Sequence, residues 1–509
     1  MSQSFFESDF SAKLLICPVY RDILYYDILY HDIPSYGNIY GGFVMKFYCR
    51  ENELSKLNKR YRTGKWECVV IYGRRRVGKT ALINEFCKDK PVIYFSALNA
   101  SAEENLEALS AAIGTFNGKD IAPVYRSFDD AFSEIEALSK NEHIIFVIDE
   151  YPYLAKSDPS ISSRLQHVID HRWQESGIFL ILCGSSMSFM QNQVLGYESP
   201  LYGRRTGQFM IEPLTYKETA VFKPELSSED KALLYGITGG VPHYINKLGV
   251  HDDIDSALLE NFFDRSAYLY EEPENLLKQE LREPAVYNSI IRAIAEGHTK
   301  LNEIATKAGI LSGPCTKYLN TLIELGIIVK ETAVTDKSNK KTIYSIGDNL
   351  FRFWYRFIPQ NIPAIVSGKI ENNYDRMVKS KLHDYMGLVF EKMCRDYLMR
   401  YADDLPFEIA DIGQWWGTDK TEKKEVQIDI VGVPVQNTAP GEYIIGSCKF
   451  RNIKTGVDEL ALLEKYASVF GKGTKYHYYI FSLGGFTNEL IKLADEKGVK
   501  LITADDMYK

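Results

Sequence analysis

The sequence predicts an α/β chain: a buried parallel-sheet core first, then mainly helical segments, then a second α/β region. Three observations predict the core. Cys68 to Tyr72 (C-V-V-I-Y) is a short β-branched run leading into Gly73-Arg-Arg-Arg-Val-Gly-Lys-Thr80, and a helical stretch follows from Ala81. His143 to Glu150 is an apolar run that ends in two acids, and Ile178 to Gly184 is another, ending in Ser185 and Ser186. Unbroken runs of this length suit strands buried on both faces, as in a parallel sheet.

The totals bound the rest. A chain of 509 residues should hold three or four domains. Hydrophobic residues make up 45%, charged residues 25%, and the net charge is −8, which excludes a wholesale nucleic-acid binder but leaves room for a local basic surface. Eight cysteines lie scattered without a C-x-x-C pair, so neither a disulfide framework nor a zinc site is indicated and a reducing cytoplasm fits. No uninterrupted apolar run is long enough to span a bilayer, and no membrane partner is expected.

Residues 1–44 are crowded with tyrosines broken by Asp and His, unlike a signal peptide. They are read either as a leader ahead of a true start at Met45 or as a genuine extension. A helix is expected at Glu53 to Arg62, before the first strand.

The loop after that strand has the form G-x-x-x-x-G-K-T, with Gly73, Gly78, Lys79 and Thr80 at its fixed places. Between strand and helix, such a loop turns backbone N–H groups toward phosphates, aided by the positive end of the helix. Arg74, Arg75, Arg76, Val77 and Ala81 complete the expected nucleotide-binding set. Lys79 would neutralise phosphate charge and act in catalysis, while Thr80 would hold Mg²⁺. A second strand is expected at Val92 to Leu98, then helices at Ala102 to Phe116 and Phe128 to Ser139. Asp149 would also reach the metal, and Glu150 would activate the attacking water. Tyr151 to Leu154 reads as a loop. Ser185 or Ser186 would sense the γ-phosphate, with helix capping as the competing role. Arg204 or Arg205, before a last strand at Gln208 to Ile211 at this edge, would serve as an arginine finger, in cis or from a neighbouring subunit, or else for surface solubility or a structural salt bridge.

The stretches G-R-R-R-V-G-K-T, F-V-I-D-E-Y-P-Y-L, C-G-S-S-M and Y-G-R-R-T-G together resemble an archaeal-type AAA+ (P-loop) ATPase. That resemblance implies ATP and Mg²⁺ as cofactors. It also implies nucleotide binding by Gly73, Gly78, Lys79 and Thr80, hydrolysis by Asp149 and Glu150, a γ-phosphate sensor at Ser185, and a finger at Arg204. It extends to G-I-T-G-G-V-P-H-Y-I, which is similar to the helical lid of such enzymes. His243 in that stretch reads as a packing or capping residue.

Helices at Tyr287 to Ala295, Lys300 to Ala308 and Ser312 to Leu325, then strands at Ile327 to Glu331 and Lys341 to Ile346, predict a winged helix-turn-helix. Lys317 and the tip lysines Lys337, Lys340 and Lys341 would suit phosphate contacts with double-stranded DNA, and protein docking is the alternative. The aromatic run after Asp348 reads as a core or interdomain helix. Beyond it, a helix at Lys381 to Tyr401 carrying Glu391, a strand carrying Asp429 and a strand carrying Lys449 look like the restriction-endonuclease-like, PD-(D/E)XK, superfamily. The pattern departs at Ser447, where a second acid belongs, and Glu425 is the residue expected to compensate.

The expected organisation is therefore an extension (1–44), a P-loop NTPase parallel-sheet core (45–214), a helical lid (215–283), a winged helix-turn-helix (284–347) and a carboxyl-terminal endonuclease-like α/β domain (348–509). The leading expectation is an ATPase that couples nucleotide state to the attached domains in DNA transactions or defence. The alternatives are a nucleotide-gated switch that binds a protein partner, or an active Mg²⁺-dependent nuclease. A homo-oligomer is compatible with each.

Overall fold

The computed structural model describes residues 47–119, 121–249, 253–335 and 342–509. The extension at 1–44, the alternative start at Met45 and the tip lysines Lys337, Lys340 and Lys341 lie outside the described residues. Helix α1 (Glu51–Tyr61) leads into β1 (Glu67–Tyr72), and α2 (Lys79–Cys87) follows the glycine-rich loop. Next come β2 (Val92–Ser96), α3 (Ala102–Phe116), α4 (Phe128–Ser139) and β3 (Ile144–Asp149). Helices α5 (Tyr151–Ser157) and α6 (Ile161–His171) lead to β4 (Ile178–Gly184), and β5 (Gly207–Met210) ends the unit. The strands pair in parallel in the order β2-β3-β4-β1-β5. Every residue of β1, β3 and β4 is buried, as their unbroken apolar composition requires.

Tyr151 to Leu154, expected as a loop, opens α5 instead. Pro152 sits in the first turn, where its missing N–H costs no hydrogen bond and its fixed φ suits a helix. The lid begins at Thr215, whose hydroxyl and Glu218 form a reciprocal cap on α7 (Tyr216–Ala220). It continues through α8 (Ser228–Thr238), α9 (Pro242–Leu248), α10 (Ile254–Phe262) and α11 (Tyr268–Glu280). Gly240 is required where the lid meets the core: its φ is +68°, and an added Cβ would lie 1.9 Å from the Leu214 carbonyl oxygen.

Helices α12 (Pro284–Ala295), α13 (Leu301–Ala308) and α14 (Ser312–Glu324) precede an antiparallel pair, β6 (Ile328–Thr332) and β7 (Thr342–Ile346). Lys317 is exposed on α14. The aromatic run forms α15 (Asn349–Val366), with Phe351, Phe353, Trp354 and Phe357 buried. Then follow α16 (Leu382–Arg400), β8 (Ile409–Asp419), β9 (Lys424–Pro434), β10 (Glu442–Lys449), α17 (Val457–Phe470), β11 (Lys475–Ser482), α18 (Asn488–Lys497), β12 (Lys500–Thr503) and α19 (Ala504–Tyr508). These strands form a mixed sheet, β12-β11-β10-β9-β8, antiparallel on the β8–β9–β10 side and parallel through β12.

One apolar core fills the first sheet and its helices. A second runs without a break from Leu214, just ahead of the lid, through Ile304, Leu319 and Phe353 to Phe481 and Met507. The other face of the mixed sheet packs separately, where Ile445 and Ile480 meet Leu460 and Leu490 of α17 and α18. The boundaries expected at 283/284 and 347/348 thus fall inside one continuous core.

Candidate active site

In a parallel sheet the loops leaving the carboxyl ends of the strands share one edge. Here that edge brings together Gly73 after β1, Glu150 after β3 and Ser185 after β4. Gly73 faces the end of β5. The Ile211 N–H donates to Tyr72 O (2.7 Å), and a Cβ on Gly73 would lie 2.3 Å from Ile211 O. The loop then climbs through Arg76 (φ +71°) and Gly78 (φ +94°) into α2. Left-handed backbone at an arginine is strained, and it persists because its surroundings hold it.

Lys79 is 6% exposed, and its Nζ donates to Gly73 O and Arg74 O, each at 3.0 Å. The side chain therefore reaches back across the loop. Val77 is fully buried beneath it, whereas Ala81 faces outward. Thr80 Oγ1 donates to Asp149 Oδ2 at 3.2 Å, and the Tyr94 hydroxyl donates to the same oxygen at 2.7 Å. Burial, then the Asp149 charge, holds the Tyr94 phenol well above its usual pKa, so it stays a donor. Glu150 has φ +51°, and one of its carboxylate oxygens accepts from Ser185 Oγ at 3.0 Å. Ser185 thus holds the expected base, while Ser186 occupies the cap position of the next short helix.

These residues fit a nucleotide and its metal. At Gly78 an added Cβ would meet only Pro242, at 3.9 Å, so a phosphate can approach the backbone there, and a buried lysine stands inside the loop. A hydroxyl and a carboxylate already in contact offer the hard oxygen donors that Mg²⁺ takes alongside phosphate oxygens and water.

Each loop arginine is engaged by an acid from farther along the chain. Arg74 pairs with Asp348, the cap of α15; Arg75 pairs with Glu280, and Arg76 with Glu272, both on α11. Arg75 also donates to the Tyr153 hydroxyl at 2.9 Å, and the Tyr244 hydroxyl donates to Glu272 at 2.9 Å. Arg50, ahead of α1, donates to Glu212 O (2.5 Å) and Val77 O (3.4 Å), tying the loop to the end of β5. Sequence reasoning missed Arg50, Tyr94, Glu272, Glu280 and Asp348 in these roles. Only contacts between distant segments reveal them.

Arg204 and Arg205 are placed differently from expectation. Gly207 pairs with Val69 near the start of β1, so both arginines lie toward the amino ends of the strands, away from Gly73. Arg204 grips Asp170 with two bonds (2.9 and 2.7 Å), and Arg205 donates to Leu195 O at 3.2 Å. The register, which the motif alone does not carry, decides this.

In the mixed sheet, Asp429 accepts from the Cys448 N–H (2.9 Å), and Glu391 accepts from Gln414. Burial, then the Asp429 charge, pushes Glu391 up to about 7, and burial raises Asp429 as well. Glu425 is exposed toward the far end of β9, in register with Thr418. The carboxylate that stands beside Ser447 belongs to Glu459 of α17. It accepts from Ser447 Oγ at 2.6 Å and pairs with Lys449 at 3.0 Å. Among the described residues no three His, Cys, Asp or Glu side chains come close enough to hold a metal ion.

Comparison with known proteins is consistent with the first site. Residues 47–248 match a family described as an ATPase domain predominantly from Archaea, and residues 354–460 match a family of archaeal and bacterial proteins of unknown function. An uncharacterized protein of Methanocaldococcus jannaschii is 33% identical over 375 residues, covering 73% of this chain and 82% of that one. Among solved structures, a Walker-type ATPase of Pyrococcus abyssi aligns with TM-score 0.48 at 22% identity, covering 61% of this chain and 96% of that one. The Aeropyrum pernix ORC1 protein, solved in complex with DNA, aligns with TM-score 0.36 at 15% identity, covering 65% and 94%.

Proposed function

The chain belongs to the family built on the ATPase domain predominantly from Archaea, and from that premise we propose that it hydrolyses ATP to switch its attached domains in a DNA transaction. One observation carries the coupling: three consecutive arginines of the phosphate loop are paired with acids of the lid and of α15. Bound ATP and Mg²⁺ would supply the phosphoryl group and the charge compensation that its transfer needs. Lys79, Thr80 and Asp149 would hold them. Glu150, positioned by Ser185, would take the proton of the attacking water at its carboxylate. Arg204 would serve as a finger only across a contact with another subunit, because it lies away from the phosphate loop of its own chain.

The segment 284–347 is read as a winged helix-turn-helix whose α14, with Lys317 exposed, would face DNA phosphates. The mixed sheet is read as an endonuclease-like fold that contacts DNA rather than cutting it, because Ser447 stands where the second acid belongs and Lys449 is engaged by Glu459. Cleavage is a second reading, favoured by Glu459 beside Ser447 and Lys449. Metal-dependent nicking of plasmid DNA that disappears in Asp429→Ala would establish it.

The leading reading is tested by the ATPase rate with and without double-stranded DNA at low and moderate salt. DNA should raise the rate, and the stimulation should fade as salt rises, because phosphate contacts release counterions. A DNA-indifferent rate would assign the switch to a protein partner instead.

A further inference from the structure

The arginine pairs do more than join domains. Glu272 is 1% exposed and Asp348 4% exposed in their side chains, so two of the three acids are almost dry. Breaking such a pair by removing one partner leaves a buried charge uncompensated. They are also placed on elements that lead elsewhere. Asp348 accepts from the Phe351 N–H at 3.0 Å to cap α15, the aromatic helix at the centre of the second core. Glu272 lies in the second turn of α11, the last lid helix before α12, and Glu280 is its final residue.

Space at the site is equally telling. Arg74, Arg75, Ser185, Tyr244, Glu280 and Asp348 line a common cavity beside the loop. A phosphate group that entered it would meet Arg74 and Arg75. It would also be drawn to the same guanidinium groups that Glu280 and Asp348 now hold, since arginine pairs with phosphate and carboxylate through the same fork of donors.

We propose that Glu272, Glu280 and Asp348 form a carboxylate clasp on the phosphate loop, which nucleotide phosphate opens by displacing Glu280 and Asp348 from Arg75 and Arg74. The proposal rests on the reading of the loop as an ATP site and adds how occupancy is transmitted. Release of Asp348 frees the start of α15, and release of Glu280 frees the end of α11. Arg76 and Glu272, the most buried pair, form the pivot that stays closed. No covalent step is involved.

The test uses the full chain and a fluorescent ATP analogue with Mg²⁺. Glu280→Gln and Asp348→Asn remove the competing charge while keeping size, and asparagine also caps helices well. Each variant should bind the analogue at least about tenfold more tightly than wild type. Hydrogen–deuterium exchange supplies a readout independent of turnover. In wild type, nucleotide should speed exchange in Tyr268–Glu280 and at the start of α15; in the variants, exchange there should be fast without nucleotide. Binding by both variants equal to or weaker than wild type, with exchange in these helices unchanged by nucleotide, would overturn the clasp. Lys79→Ala separates this from failure of the site itself. If it binds as wild type does, the ATP-site reading falls and the clasp with it. If it abolishes binding while the clasp variants match wild type, the clasp alone falls.

Discussion

Asp149 and Glu150 are neighbours in the chain with different surroundings. Asp149 is held by Thr80, Tyr94 and the Glu150 N–H, three donors that fix its carboxylate at the end of β3. Glu150 turns through a left-handed backbone to meet Ser185. Residues so divided should fail in different ways. Lys79→Ala should abolish nucleotide binding, measured by equilibrium titration. Glu150→Gln should bind normally yet hydrolyse about 10²-fold or more slowly, as loss of a water-activating base requires. Unchanged turnover in the second variant would move the base elsewhere. His243 yields a pH prediction. Its ring packs on Tyr244 and Tyr268, and burial, then Arg76 and Lys247, lowers its pKa to about 4. The unfolded chain binds that proton near pH 6.5, so stability falls as pH drops from about 6.5 to about 4, by up to about 3 kcal/mol. His243→Phe should flatten the melting temperature across that range; a slope equal to wild type would refute the assignment.

At the scale of elements, the loop between β1 and α2 depends on its neighbour β5. Gly73→Ala places a methyl group 2.3 Å from Ile211 O, and backbone cannot yield as a flexible side chain would. The variant should lose about 1–3 kcal/mol of stability and nucleotide affinity together, read by denaturant melts and titration. Neutral behaviour would mean that β5 can shift. The strand pattern was largely legible because buried parallel strands announce themselves as apolar runs. Tyr151 to Leu154, expected as a loop, opens α5, because a proline in the first turn suits a helix. Strand β8 was not expected at all. Its eleven residues mix Gly, Trp, Gln and Asp, and none but Gly417 and Asp419 is fully buried, so no apolar run marks it.

Across the whole molecule, the second core joins lid, α12–α14, α15 and one face of the mixed sheet. The carboxyl-terminal helix closes it, with the Tyr216 hydroxyl donating to Met507 O at 3.0 Å. A fragment ending at residue 347 would expose the lid face that packs on Phe353, Tyr385 and Met386, and Gly236 would lose its packing against Met386. Such a fragment should aggregate or melt well below the full chain in calorimetry. An independently stable fragment would restore the boundaries expected from sequence.

The sequence by itself determined the glycine-rich loop between β1 and α2, because its glycines, lysine and threonine stand at fixed spacing between a strand and a helix. The two acids after β3 were determined the same way, by the strand that delivers them. What only the tertiary structure decided are the pairings across long separations. Arg74 meets Asp348, Ser447 meets Glu459 in place of the missing acid, and Arg204 lies away from the glycine-rich loop of its own chain. Such partners are chosen by sheet register and by the packing of helices into a shared core. Neither leaves a mark on the local spacing of residues.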